Sequence, residues 1–157
     1  MHLDALARAA GLDSSHVLPL ADEYKGARGI RHFREAIDLM DAGAQSPKET
    51  WLRLLLIDAG YPRPQTQIPV LSDSGVEFAF LDMGWENIMV AVEYDGEQHQ
   101  KDRRRYVWDK RRRALLERLG WIVIYVIKED RPYDILQRVR DAWRRRETEG
   151  RVVKLSP

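Results

Sequence analysis

The sequence predicts an α/β fold in which a mixed central β-sheet is flanked by helices and preceded by a helical N-terminal appendage. Two short apolar segments have the length of buried strands, and an alternating segment precedes them. Amphipathic segments with helical periodicity separate and follow these strands, so helices can cover both faces of the sheet. The three strand segments are "GVEFAFLD" (75–82), "NIMVAVEYD" (87–95) and "WIVIYVI" (121–127).

Short helical patterns fill residues 1–45, which we expect to form a helical appendage or the remnant of a linker. A stronger helix start follows this segment. Ser46 is a candidate N-cap, Pro47 suits the first helical position and Glu49 completes an S-x-x-E capping box. The two patterns of the appendage are "LDALARAAGL" (3–12) and "IRHFREAIDLM" (30–40).

The remaining segments predict the connections of the sheet. A hairpin-sized loop, "MGWEN", joins the alternating strand to the first apolar strand. The other predicted elements are a short strand "TQIPV" (66–70), a basic helix over 102–119 that ends at Gly120, and an amphipathic final helix over 131–146. The expected domain limits are an appendage over 1–45, an α/β domain over 46–146 and a tail over 147–157.

Composition excludes several classes of protein. The chain of 157 residues suits one domain with a core, and no apolar run approaches the roughly 20 residues of a membrane helix. Cysteine is absent, which excludes disulfides and thiolate metal sites. The first residues lack the pattern of a secretion signal, so we expect a cytoplasmic protein without membrane association.

Positive charge is concentrated in one helix although the formal net charge is +1. Residues 101–118 contain nine basic and three acidic residues. A patch of this kind indicates either a phosphate-bearing partner or a solvated helix face. The residues expected to contact nucleic acid are Lys101, Arg103, Arg104, Arg105, Lys110, Arg111 and Arg113.

Acidic residues occur where two predicted strands end. Asp82 ends one strand, and Glu93 and Asp95 end the next with their side chains on the same face. If the strands pair as a hairpin, Asp82 and Glu93 lie side by side, and a divalent cation offsets the repulsion between them. The Tyr94 carbonyl is a natural further ligand. Mg²⁺, for which Mn²⁺ can substitute, is the expected cofactor.

The arginines offer another explanation for these acids. Arg112 lies four residues before Leu116 and therefore on the inward stripe of its helix, where it can pair with a carboxylate. His99 is a candidate acid, base or phosphate contact, or else a surface residue. Glu49 is explained by its capping role, unless the start of its helix faces the strand ends.

Tryptophans are expected mainly in the core. Trp85 follows Asp82 and either stacks on a nucleic-acid base or folds onto the core. The four others occupy positions typical of packing on helices and strands: Trp51, Trp108, Trp121 and Trp143.

Four motifs, in order, resemble an uncharacterised bacterial family related to very short patch repair endonuclease (domain of unknown function 559), in the PD-(D/E)xK nuclease superfamily. The resemblance covers about residues 46–143. The motifs are "SPKETWLRLLL" (46–56), "FLDMGW" (80–85), "VAVEYDGEQH" (90–99) and "WDKRRRALLERLGWIVIYV" (108–126), in which Asp109, Arg112, Leu116 and Gly120 keep the family's spacing.

The resemblance implies a restriction-endonuclease-like core and matches Asp82 and Glu93 to the superfamily's metal-binding acids. It also implies a supporting role for Glu49, which would orient the water shell of the metal, and for Asp109 and Arg112. His99 matches the histidine after the D-G turn. Asp95 would assist the metal site or bind a second ion. It stands where the superfamily has a lysine, so Gln98, His99 or Lys101 would have to supply the function of that lysine near the attacking water.

The predicted function is therefore a metal-dependent DNA endonuclease that hydrolyses phosphodiester bonds in a repair, mobile-element or defence context. A catalytically inactive DNA-binding or antitoxin-like regulatory module on the same fold is the alternative. A domain that binds only an acidic protein is a third. DNA is the expected partner, and the sequence leaves open whether the chain acts alone, as a homodimer or with a partner protein.

Overall fold

A computed structural model describes residues 2–72, 74–96 and 103–151 of the protein. The chain forms two compact units, Met1–Leu54 and Leu55–Pro157, and this division falls inside a helix. The predicted domain limits at 46 and 146 stay predictions. In chain order the elements are α1 (His2–Ala10), α2 (Ser14–Glu23), α3 (Ile30–Asp38), α4 (Pro47–Asp58), β1 (Gln65–Leu71), β2 (Glu77–Trp85), β3 (Val90–Tyr94), α5 (Arg103–Arg118), β4 (Ile122–Val126) and α6 (Pro132–Thr148).

The first unit is helical and contains a buried ion pair. Arg53 is fully buried, and its Nη2 donates to Asp4 Oδ2 at 3.0 Å and to the Leu39 carbonyl at 2.7 Å. The Thr50 hydroxyl donates to the same Asp4 oxygen at 2.8 Å, and the Asp41 amide donates to the other at 3.0 Å. Asp4 belongs to α1 and Arg53 to α4, so these hydrogen bonds tie the two helices together within this unit.

Ser46 is the N-cap of α4, as predicted. The Ser46 hydroxyl accepts from the Glu49 amide at 3.1 Å, and α4 begins at Pro47. The Glu49 carboxylate reaches back and accepts from the Gln45 amide at 2.7 Å. The bond to Ser46 satisfies an amide group that the helix start leaves without a partner in the helix, and the bond to Glu49 holds the residue before the cap.

The second unit contains a mixed four-stranded sheet in the order β1-β2-β3-β4. The first two pairings are antiparallel and β3–β4 is parallel. Val90, Ala91 and Val92 have no exposed surface, so the predicted burial of both faces of β3 is confirmed. The mixed α/β class predicted from the sequence is therefore correct.

Helices α5 and α6 cover this sheet. Leu116 of α5 packs in a core cluster with Ile68, Leu81 and Ala91 from three strands. On α6, Ile135, Val139, Ala142 and Trp143 are buried, as its periodicity predicts. Among the residues that the structure describes, no helix is both long enough and apolar enough to cross a membrane.

The hairpin between β2 and β3 differs from the prediction. Strand β2 continues past Asp82 to Trp85, and a 3₁₀ turn over Glu86–Ile88 makes the connection instead of a loop over 83–87. The strand continues because Gly84 lies opposite Ala91, where a Cβ atom would stand 2.4 Å from the Val90 carbonyl oxygen. Asp82 therefore lies inside a strand and does not end it.

Two of the four tryptophans expected in the core are exposed. Trp121 and Trp143 are buried as predicted, whereas Trp108 is 52% exposed and Trp51 is 36% exposed. Trp51 lies off the buried stripe of α4, which contains Leu52 and Leu56. Trp108 shares the stripe of Arg112 but lies in the first half of α5, where the stripe faces a pocket.

Trp85 folds onto the core of its unit, which was one of the two expectations for it. Its ring is 5% exposed and packs at 5.0 Å, centroid to centroid, against Trp143 in an edge-on arrangement. Its indole nitrogen donates to the Pro62 carbonyl at 2.8 Å. Because the ring is enclosed in this way, Trp85 does not present a face to a nucleic-acid base.

Candidate functional site

A pocket of about 220 Å³ opens in the second unit where β3 ends. It is bounded by Asp82 inside β2, by the last residues of β3, by Tyr125 of β4 and by one side of α5. Of the residues predicted to act in catalysis, it contains Asp82, Glu93 and Asp95, whereas Glu49 and His99 are not among its lining residues. Its lining residues are Asp82, Glu93, Tyr94, Asp95, Trp108, Asp109, Arg112, Arg113 and Tyr125.

Strand register brings Asp82 and Glu93 together. The antiparallel ladder pairs Met83 with Val92, and continuing it by one residue sets Asp82 opposite Glu93. The ladder ends there, because Asp82 Oδ2 accepts a hydrogen bond from the Tyr94 amide at 2.9 Å. Asp82 and Glu93 therefore line one pocket from neighbouring strands, and Asp82 also bonds the backbone of β3.

Arg112 neutralises Glu93. Its Nη1 donates to Glu93 Oε2 at 2.9 Å, its Nη2 donates to Glu93 Oε1, and Nη2 also donates to the Phe80 carbonyl at 2.8 Å. Glu93 is only 7% exposed, so this counter-charge compensates a carboxylate removed from water. The hydrogen bonds to Glu93 raise the pKa of Arg112 above its usual value.

Asp95 pairs with a second arginine. Arg113 Nη2 donates to Asp95 Oδ2 at 3.0 Å, and the Arg113 guanidinium lies 3.8 Å from the centroid of the Tyr125 ring. Tyr125 lies in parallel register with Glu93 on the neighbouring strand. Burial, followed by the charge of Glu93, raises the pKa of Tyr125 above its ordinary value, so its hydroxyl stays protonated at neutral pH.

The other residues predicted for the site have different environments. Asp109 lines the pocket from α5, three residues before Arg112 and hence on the same side of the helix. Glu49 belongs to the first unit, where it caps α4. His99 and Lys101 lie outside the described residues.

The basic face of α5 is exposed as predicted. Arg103, Arg104, Lys110 and Arg111 all lie on the surface. Arg105 belongs to the same helix, but its side chain is outside the described part of the chain. The Lys110 ammonium lies 5.7 Å from the centroid of the exposed Tyr106 ring.

Two lining residues were missed by sequence reasoning. Tyr125 belongs to an apolar run in which it is the residue with a polar group, and the parallel register with Glu93 is what carries it to the pocket. Trp108 was assigned to the core because it shares a stripe with Arg112 and Leu116. The sequence did contain a signal for this. The stripe changes from Leu116 to Arg112, which indicates that it passes from core to polar surroundings towards Trp108.

The residues of the pocket are of the chemical type that holds Mg²⁺. Asp82 and Glu93 line the pocket with carboxylates, and Tyr94, whose carbonyl is the third predicted ligand, is also a lining residue. Within the described ranges, no three Asp, Glu, His or Cys side chains are grouped to hold a metal ion. In proteins Mg²⁺ is usually held by one or two carboxylates together with water or substrate phosphate. Both Glu93 oxygens accept from Arg112, and a cation would therefore compete with this guanidinium.

Comparison with known proteins finds two relatives in Mycobacterium tuberculosis, the uncharacterized proteins MT2308 (strain CDC 1551) and Rv2248 (strain H37Rv). Each is 32% identical to this chain over 128 residues, which are 82% of the chain. The aligned region spans 47% of each relative, so the chain matches about half of their length. No protein-family model and no solved structure matches the chain.

Proposed function

We propose that this chain is a Mg²⁺-dependent DNA endonuclease with a restriction-endonuclease-like core, akin to the very short patch repair-like family that its motifs resemble. One observation carries the proposal. Asp82 and Glu93, which the sequence selects as metal ligands, project from neighbouring strands into one pocket beside a helix with an exposed basic face. Acids alone repel phosphate, whereas acids that hold a cation beside basic side chains attract it.

In this proposal Asp82, Glu93 and the Tyr94 carbonyl hold the metal, for which Mn²⁺ can substitute. The bound ion lowers the pKa of a water molecule and offsets negative charge on the phosphodiester. Arg112 is the counter-ion that keeps the buried Glu93 in place. Arg103, Arg104, Lys110 and Arg111 bind DNA phosphates, and His99 keeps its predicted role in proton transfer or phosphate contact.

The test is cleavage of supercoiled, nicked and mismatched DNA in Mg²⁺ or Mn²⁺. We expect Asp82→Asn to reduce cleavage by more than about 100-fold. Loss of a residue that only hydrogen-bonds to a metal ligand costs up to about 100-fold, so a larger loss indicates that Asp82 binds the metal itself. Asp141→Asn is the matched control, because Asp141 is exposed on α6 and does not line the pocket. Circular dichroism must show that both variants are folded. Cleavage by Asp82→Asn at the wild-type rate would remove the mechanism.

A catalytically inactive DNA-binding regulator is the second candidate, and the observation that favours it is the occupation of both Glu93 oxygens by Arg112. Calorimetric titration with Mn²⁺ separates the two candidates. The nuclease requires that wild type bind Mn²⁺ and that Glu93→Gln bind it at least about tenfold more weakly. Salt-dependent DNA binding by a wild type that neither binds Mn²⁺ nor cleaves would instead establish the regulator.

A further inference from the structure

Asp95, Arg113 and Tyr125 form a cluster at the edge of the pocket, and each comes from a different segment of the chain. Asp95 follows β3, Arg113 projects from α5 and Tyr125 belongs to β4. The salt bridge of 3.0 Å and the ring contact of 3.8 Å restrain the Arg113 guanidinium from two directions. A restrained guanidinium has less conformational freedom to lose when it binds an anion.

Arg113 differs from its neighbour Arg112 in the use of its donors. Arg112 bonds both Glu93 oxygens and the Phe80 carbonyl, and its side chain is 13% exposed. Arg113 uses Nη2 for Asp95, while its side chain is 44% exposed and lines the pocket. Since a guanidinium carries five N–H donors, Arg113 can donate to a ligand and keep its bond to Asp95.

We propose that Arg113 is the cation of this pocket that contacts the substrate phosphate, and that Asp95 and Tyr125 are the residues that position it. Asp95 stands where a lysine was expected. By pairing with Arg113, it holds a positive charge from α5 at the pocket. The inference rests on the proposed nuclease function for its role in catalysis. The contact with phosphate rests on the geometry of the cluster alone.

Arg113 takes part in hydrolysis without exchanging atoms. Water adds to phosphorus, the bond from phosphorus to the leaving oxygen breaks, and the products are a phosphomonoester and an alcohol. One water proton is released to solvent or a base, and the leaving oxygen receives a proton. The guanidinium donates hydrogen bonds to the non-bridging oxygens, whose negative charge it stabilises in the transition state.

The experiment compares Arg113→Gln, Arg113→Lys and the double variant Arg113→Gln/Asp95→Lys with wild type in steady-state cleavage. We expect Arg113→Gln to lower kcat by about 100-fold and to change KM by a smaller factor, because the contact with phosphate strengthens in the transition state. Arg113→Lys should regain at least tenfold, and so should the double variant, which moves a cation to position 95. Arg140→Gln is the control, because Arg140 is exposed on α6 outside the pocket.

A second measurement decides the matter if wild type does not cleave. The equilibrium constant for a labelled DNA duplex is followed against salt in EDTA, where loss of one phosphate contact lowers the slope by about one. A slope lowered for Arg113→Gln but not for Arg140→Gln supports the contact even though the nuclease proposal has failed. If wild type cleaves DNA, a loss of kcat below tenfold in Arg113→Gln overturns the inference. If wild type does not cleave, the inference is overturned when Arg113→Gln leaves the salt slope of DNA binding unchanged.

Discussion

Glu93 and Asp95 are separated by one residue, yet their ion pairs differ in depth. Glu93 is buried and bonded through both oxygens to Arg112, whereas Asp95 and Arg113 are each about half exposed. Removing one partner leaves an uncompensated charge in low dielectric in the first case and a hydrated charge in the second. Loss of an arginine should therefore destabilise the protein much more at the Glu93 pair than at the Asp95 pair.

We expect Arg112→Met to lower the free energy of unfolding by about 3–5 kcal/mol, the cost of stranding a buried charge. Arg113→Met should cost less than about 1 kcal/mol, as exposed ion pairs do. Urea unfolding of both variants and of Glu93→Gln/Arg112→Met is the measurement. In the double variant the stranded charge is gone, so part of the stability returns. Equal costs for the two single variants would contradict the assignment of burial.

At the residue scale, local pattern predicted the inward direction of Arg112 but not its partner. Arg112 and Leu116 are four residues apart, which places both on one side of α5. The choice among Asp82, Glu93 and Asp95 depends on how α5 crosses the sheet. The path of α5 over the sheet also explains why Trp108 lines the pocket and is not packed in the core.

The connection between β4 and α6 shows how a short turn joins two elements. Asp130 Oδ2 accepts from the Ile127 amide at 2.9 Å and from Arg138 Nη2 at 2.5 Å. Arg138 Nη1 also donates to the Tyr125 carbonyl at 2.8 Å, so the bonds tie the start of α6 to the end of β4. The backbone hydrogen bond from Ile127 is the main cause that lowers the pKa of Asp130 below its ordinary value.

This shift predicts a pH dependence of stability. Because the folded-state pKa is lowered, the Asp130 contribution is complete above the unfolded-state pKa of about 3.9 and is lost as the pH falls through the folded-state pKa. We expect Asp130→Asn to cost about 1 kcal/mol at pH 7 and progressively less below pH 4. Unfolding from pH 3 to 7 measures this, with the exposed neighbour variant Glu129→Gln as control. A difference that persists unchanged at pH 3 would contradict the prediction.

At the element scale, the sequence predicted strands and helices with clear periodicity and missed those without it. Helix α2 was not predicted, because Pro19 interrupts the pattern of its segment. It begins with a capping box. The Asp13 side chain accepts from the Ser15 and His16 amides, and His16 Nδ1 accepts from the Asp13 amide. Strand β2 was predicted too short, since its last residues are held by pairing with β3.

For the whole molecule, charge distribution matters more than net charge. The chain carries 26 basic and 25 acidic residues, so non-specific attraction to DNA is weak unless the charges are segregated. They are segregated on α5, where basic side chains lie on the exposed face next to the pocket. Binding that depends on this face should therefore respond to where a charge is removed as well as to how many are removed.

We expect Lys110→Gln/Arg111→Gln to weaken binding to a DNA duplex and to lower the salt slope by up to about two. Arg131→Gln/Arg140→Gln changes the net charge by the same amount at exposed positions before and on α6, and should leave the slope unchanged. Fluorescence anisotropy from 50 to about 300 mM salt provides the measurement. Equal effects of the two double variants would show that net charge, rather than α5, attracts the nucleic acid.

The sequence determined the α/β class, the burial of β3, the N-cap of α4 and the position of Glu93 near the end of β3. These follow from residue types that are close together in the chain, where periodicity and capping act locally. Only the tertiary structure decided that Arg112 pairs with Glu93, that Arg113 pairs with Asp95 and that Tyr125 completes the pocket. These partners are far apart in sequence, and strand register together with the path of α5 over the sheet sets which of them meet.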